Sequence, residues 1–137
     1  MREAAVLDSS VIAAIFLPEE ITEKAIDITL DHHCITIDLA FAEVGNVAWK
    51  RVLHGGFDPD EVREQYTDSI RFITDTCTIV PMHTLLEPAY SIACNTPVTM
   101  YDALFLAASD SVDAPLLTAD QKMYTISEKL HHLILVK

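Results

Sequence analysis

Four acidic residues stand where an acid is costly to keep. Asp8 directly follows the apolar run Ala4-Ala5-Val6-Leu7, and Asp120 follows Pro115-Leu116-Leu117-Thr118 after one intervening alanine. Glu43 is the only ionisable residue between Leu39 and Trp49, and Asp102 is followed by Ala103-Leu104-Phe105-Leu106-Ala107-Ala108, which carries no polar side chain. A buried carboxylate without a partner is expensive. Burial raises its pKa, and crowding several acids raises it further unless a cation sits between them. Basic partners are scarce, with 9 Lys and Arg against 21 Asp and Glu and a net charge of -12. A hard divalent ion, Mg²⁺ or Mn²⁺, resolves the conflict, because such ions prefer carboxylate and water oxygens whereas His and Cys suit softer metals.

Each acid also has a purely structural use. Asp8 and Asp120 can cap the helices that follow them, and Asp102 can form a capping box with Thr99 three residues earlier. Glu43 has no capping role in mid-helix, and only an ion pair with Lys50 or Arg71 would account for it structurally. One shared site accounts for all four acids together.

The elements that must position these residues alternate along the chain. Residues 4–7 read as a strand and 9–16 as a helix stopped before Pro18. An amphipathic helix is expected from 19 to about 32, a strand at 34–37, and a helix at 39–53 opened by Asp38 as N-cap and ended by Gly55-Gly56. Pro59 starts a helix with the apolar stripe Val62, Tyr66, Ile70 and Ile73. There follow a strand at 78–80, helices at 84–93 and 101–111, a strand at 115–118, a helix at 122–130 and a last strand at 133–136. Strands apolar on both faces alternating with helices imply an α/β fold in one domain, residues 1–137, built as a parallel sheet between two helix layers. Open parallel sheets bind ligands at the carboxyl ends of their strands, which puts Asp8 and Asp120 on one edge.

The remaining features exclude more than they assign. No run of about 18 apolar residues and no signal-peptide pattern is present, so a soluble, cytoplasmic protein without membrane contact is expected. Cys34, Cys77 and Cys94 are odd in number and lack a CxxC pair, which suggests buried thiols rather than disulfides or a zinc knuckle. The acidic balance argues against a broad basic face for nucleic acid, leaving Lys50, Arg51 and Lys122 as candidate phosphate contacts near the acids. The adjacent pairs His32-His33 and His131-His132 diverge on a helix and do not chelate jointly. Tyr101 and Tyr124 are the aromatics nearest the acids in sequence, where they either stack on bases or pack.

The stretches Val6-Leu7-Asp8-Ser9-Ser10, Ala42-Glu43-Val44-Gly45-Asn46-Val47, Tyr101-Asp102-Ala103-Leu104 and Leu117-Thr118-Ala119-Asp120 resemble, in order and spacing, the motifs of PIN-domain proteins, and among these the VapC-type toxins. The resemblance spans essentially the whole chain. It implies a three-layer α/β/α sandwich with a central parallel sheet of about five strands. It further implies an acidic pocket for Mg²⁺ or Mn²⁺, ribonuclease activity restrained by a VapB-like antitoxin, and a homodimer. By the same carry-over Asp8, Glu43, Asp102 and Asp120 are the catalytic, metal-binding acids. Ser9 and Thr118 then support the pocket by hydrogen bonds, and Asn46, one turn beyond Glu43, faces it. After Asp120 the sequence Gln121-Lys122-Met123-Tyr124 supplies no further acid, which weakens the case for a second metal.

On this reading the ion polarises an RNA phosphodiester and acidifies a water that attacks in line, leaving a 5′-phosphate and a 3′-hydroxyl. Two rivals differ in kind. A phosphoacceptor domain would use Asp8 as nucleophile, but it leaves Glu43 unexplained. A catalytically idle PIN-like module that only binds a partner protein would not need the complete acid set.

Overall fold

In the computed structural model residues 2–137 are described. Five strands, β1 (Ala4–Leu7), β2 (His33–Ile37), β3 (Thr78–Val80), β4 (Leu116–Thr118) and β5 (Leu133–Leu135), form one sheet in the order β3-β2-β1-β4-β5. Every pairing is parallel, with Val6 opposite Ile35 on one side and Leu116 on the other. Parallel neighbours need crossovers. These are supplied by α1 (Ser9–Phe16), α2 (Thr22–Leu30), α3 (Leu39–Leu53), α4 (Pro59–Asp75), α5 (Leu86–Asn95), α6 (Met100–Val112) and α7 (Gln121–Ser127). Helices α1 to α4 pack on one another, while α5 and α6 pack together and α6 lies against β1, β2 and β4. This is the α/β/α sandwich with a five-stranded parallel sheet that the sequence leads one to expect.

The central strands are apolar because both of their faces are covered: Ala5, Val6, Leu7, Leu116 and Leu117 are wholly buried. Seven consecutive residues of α6, Ala103 to Ser109, are also buried. This explains why that helix has no polar stripe. Fully burying a leucine contributes roughly 2 kcal/mol, so strand and helix together make the platform on which the acids stand. The buried Thr36 hydroxyl on β2 is satisfied by donating to the Leu7 carbonyl at 2.8 Å, across to β1.

Four local readings need correction. Helix α2 begins at Thr22, not 19, because the Thr22 hydroxyl accepts from the Glu19 N–H at 2.8 Å and donates to the Ala14 carbonyl at 2.7 Å, which holds a separate turn. Asp38 does not cap α3; its carboxylate accepts from the Met82 N–H at 2.7 Å and ties β2 to the chain after β3. The helix expected at 84–93 starts as a 3₁₀ turn, Met82–Leu85, and becomes α-helical at Leu86, with Pro88 tolerated in the first turn. Helix α7 stops at Ser127, whose carbonyl accepts from both Leu130 and His131.

One close approach bears on the site. Helix α3 passes α4 at Gly45, where an added Cβ would meet the Tyr66 hydroxyl oxygen at 2.8 Å. That hydroxyl donates to the Phe41 carbonyl at 2.6 Å.

Candidate active site

Strand order reverses between β1 and β4, so the connections leaving their carboxyl ends diverge and open a crevice. Leaving β1, the chain passes through Asp8 into α1; leaving β4, it passes through Asp120 into α7. Helix α6 leads into β4 and α3 departs from β2, so both begin on this same edge and bring Asp102 and Glu43 with them. All four acids line one cavity of about 250 Å³. Ser9, Ser10, Asn46, Val47 and Phe105 complete its wall.

Asp8 is the deepest of the four, at 5% exposed. Its Oδ1 accepts from the Ser10 hydroxyl at 2.5 Å and from the Val11 N–H at 3.1 Å. Burial pushes its pKa up to about 6, against the opposing hydrogen bonds from Ser10, Thr118 and Val11 and with a small further push from Asp102. The Ser10 hydroxyl in turn accepts from the Ala119 N–H at 2.9 Å, which ties the exit of β4 to the carboxylate at the exit of β1. The sequence reading gave Ser10 no role of its own. The available signal was a second hydroxyl just past a strand-end aspartate.

The other acids are nearer solvent. Glu43 is half-buried and accepts the Ser9 hydroxyl at 2.6 Å. Asp102 is half-buried, and its pKa is raised by burial and then by the neighbouring Asp120 and Glu43 carboxylates, with Thr99 opposing. Asp120 is exposed; it accepts the Met123 N–H at 3.0 Å, and its own N–H donates to the Thr118 hydroxyl at 3.0 Å. The Thr99 hydroxyl caps α6 at the Asp102 N–H, 3.1 Å away. Capping and pocket lining therefore coexist: Asp8 and Asp120 cap their helices and border the cavity as well. Asn46 is exposed and borders the cavity one turn past Glu43.

The electrostatic partners differ from those anticipated. Glu43 is less buried than its apolar helix implies, and the ion pair with Lys50 or Arg71 that would have given it a purely structural role is not formed: Ser9 holds it, and Arg71 pairs with Asp68 at 3.4 Å. It is half-exposed because its helix neighbours Ala42 and Asn46 face outward at the cavity mouth. Arg51 is no phosphate contact: its guanidinium donates to the Pro18 and Leu17 carbonyls at 2.9 and 3.1 Å and stands 5.3 Å over the Phe57 ring. Lys50 is exposed in the last turn of α3, and Lys122 borders a second cavity together with Asp102 and Asp120. The histidines serve elsewhere, His33 with Thr78 at 3.0 Å and His131 with Asp110 at 3.2 Å. Cys34 and Cys77 are buried as expected, Cys77 with its thiol pushed up to about 12, whereas Cys94 is exposed.

The donor set facing the cavity consists of carboxylate, hydroxyl and carboxamide oxygens, with no His, Cys, Lys or Arg among the described residues that line it. That chemistry fits Mg²⁺ or Mn²⁺. Among the described residues no three His, Cys, Asp or Glu side chains form a preassembled metal cluster.

A sequence profile for the PIN domain matches residues 5–129, which includes all four acids. The chain belongs to the PIN-domain family. Its PIN-domain sequence is 31% identical over 121 residues to Ribonuclease VapC3 of Pyrobaculum aerophilum, spanning 86% of this chain and 90% of that protein. Among solved structures, this PIN domain resembles a toxin-antitoxin complex from Klebsiella pneumoniae, with a TM-score of 0.72 at 14% identity over 98% of each chain. It also resembles VapC20 of Mycobacterium tuberculosis, described as a toxin that cleaves the sarcin-ricin loop, with a TM-score of 0.70 at 12% identity over 89% of this chain and 94% of that one. At such identities these two likenesses speak for the fold. No helix among the described residues is long and apolar enough to cross a membrane.

Proposed function

We propose that this chain is a divalent-metal-dependent endoribonuclease, the toxin of a VapBC-type pair, with Asp8, Glu43, Asp102 and Asp120 as its metal-binding acids. The observation that carries the reading is the meeting of four carboxylates from four separate elements in one cavity at the sheet's switch point. The 31% identity to Ribonuclease VapC3 supports the reaction class. Mg²⁺ or Mn²⁺ bound there would supply Lewis-acid polarisation of the phosphodiester and a more acidic water. The chain itself keeps Asp8 oriented through Ser10, Thr118 and the Val11 N–H, and holds Glu43 through Ser9. It also leaves Asp120 at the open mouth. A carboxylate not committed to the ion would take the proton of the attacking water; as the water oxygen bonds to phosphorus the P–O3′ bond breaks and O3′ takes up a proton from solvent, leaving a 5′-phosphate and a 3′-hydroxyl. A VapB-like antitoxin as restraining partner, a homodimer, a cytoplasmic location and residues 1–137 forming one PIN-like domain complete the proposal.

The test is cleavage of a mixed single-stranded RNA by the purified chain with Mg²⁺ or Mn²⁺, against EDTA and against Glu43→Gln. Metal-dependent fragments with 5′-phosphate ends that Glu43→Gln abolishes are expected. Equal cleavage in EDTA, or by Glu43→Gln, would overturn the reading. No cleavage at all under any metal would favour the idle binding module.

A further inference from the structure

Two further cavities share residues with the acid pocket. One, of about 370 Å³, shares Glu43 and Asn46 and is otherwise walled by Leu39, Ala42 and Tyr101. The other, of about 240 Å³, shares Asp102 and Asp120 and includes Lys122. Each adjoins the pocket through a different pair of its residues, so the carboxylates stand between two flanking arms. The arms differ in chemistry: one offers an aromatic face, apolar side chains and a carboxamide, the other a cation.

Tyr101 stands in the first turn of α6, beside Asp102, with 58% of its surface exposed. Packing does not require it, since the buried run of α6 begins two residues later. The other exposed aromatics, Trp49, Phe57 and Tyr90, border none of the three adjoining cavities. Trp49 instead packs edge-on against His54, with ring centroids 5.6 Å apart. A chain of net charge -12 cannot gain its hold on RNA from wide phosphate neutralisation. Base stacking on an aromatic face is the alternative source of affinity, and it is open only to a base that is not paired and stacked within a duplex.

We infer that Tyr101 is the stacking platform for an unpaired nucleobase flanking the scissile phosphate, with the Asn46 carboxamide placed to hydrogen-bond the edge of that base. The inference rests on the ribonuclease reading and deepens it by naming the side chains that would hold the base beside the cut. The aromatic arm takes the base, and the Lys122 arm takes the neighbouring phosphate.

The test combines Tyr101→Ala and Tyr101→Phe with a cleavable oligoribonucleotide carrying an abasic sugar at each position in turn. Tyr101→Ala should raise KM about tenfold with kcat changed less than threefold, and Tyr101→Phe should restore KM. One abasic position should weaken wild type by a similar factor and Tyr101→Ala no further. Unchanged KM in Tyr101→Ala, or losses that multiply independently, overturns the inference. A shift of Tyr101→Ala from dimer to monomer with unchanged KM assigns the ring to a protein interface and overturns it equally. If wild type cleaves no RNA, the ribonuclease reading fails. Quenching of a 2-aminopurine-labelled oligonucleotide by wild type but not by Tyr101→Ala then decides the stacking separately, and equal quenching by both refutes it.

Discussion

The floor and the rim of the acid cavity use the same functional group in opposite ways. On the floor, Asp8 is buried, held by Ser10 and the Val11 N–H, and pushed up to about 6. At the rim, Asp120 is exposed and Glu43 half-exposed, each with one side-chain hydrogen bond to the protein. Desolvation is what separates them, and it assigns different work to each. The floor carries an electrostatic penalty that a cation bound there would relieve, whereas the rim carboxylates stay open to solvent.

The severest challenge to that contrast is Asp8→Asn, which keeps the capping oxygen but removes the charge. It should lower kcat by about 10³-fold while raising the stability of the metal-free protein at pH 7. The gain follows from the shift of Asp8 from 3.8 to about 6, worth on the order of 3 kcal/mol at about 1.4 kcal/mol per pKa unit. Thermal melts of both proteins in EDTA check this, and a fall in Tm for the variant would refute the stored penalty.

The same shift sets a pH dependence. Folded Asp8 keeps its proton up to about pH 6, whereas the unfolded chain releases it near 3.8. Over that window the folded state binds more protons, so this group's contribution makes metal-free stability fall as pH rises from about 4 to about 6 and then level off. Saturating Mg²⁺ should flatten that part of the profile, as difference melts against Asp8→Asn would reveal.

Ser10→Ala sharpens the comparison further. It removes a hydrogen bond from Asp8 and orphans the Ala119 N–H, and should cost about 1–3 kcal/mol in urea unfolding. Ser9→Ala, at the rim, should cost less than about 1 kcal/mol and act mainly on kcat. Equal destabilisation by the two would erase the distinction. The smallest effect is expected at Lys122. Replacing it with Ala should reduce the slope of log KM against log salt by about 0.7, as for one phosphate contact on a single strand.

Much of this was legible in the residues. The apolar strands, the helices at 39–53 and 59 onward, and the strand-end positions of Asp8 and Asp120 follow from periodicity and punctuation, because they answer to local chemistry. Partner choice was not legible, since it depends on which elements adjoin. Asp38 had every local qualification for an N-cap, yet the Met82 N–H lay within its reach. Arg51 looked free for phosphate, yet the end of α1 presents two carbonyls to it. The depth of Glu43 was misjudged because an apolar helix sequence does not reveal that the small Ala42 leaves a cavity mouth open beside it.

The contact at Gly45 bears on the placement of two cavity residues from a position outside the cavity. Glu43 and Asn46 flank this glycine on α3, and the Tyr66 hydroxyl occupies the volume a methyl group would need. Alanine there must either displace Tyr66 from the Phe41 carbonyl or lever α3 outward, carrying the carboxylate and the carboxamide together. The bare backbone at residue 45 thus sets how closely the helix bearing Glu43 and Asn46 sits against its neighbour, and a single methyl there would shift either that spacing or the Tyr66 ring.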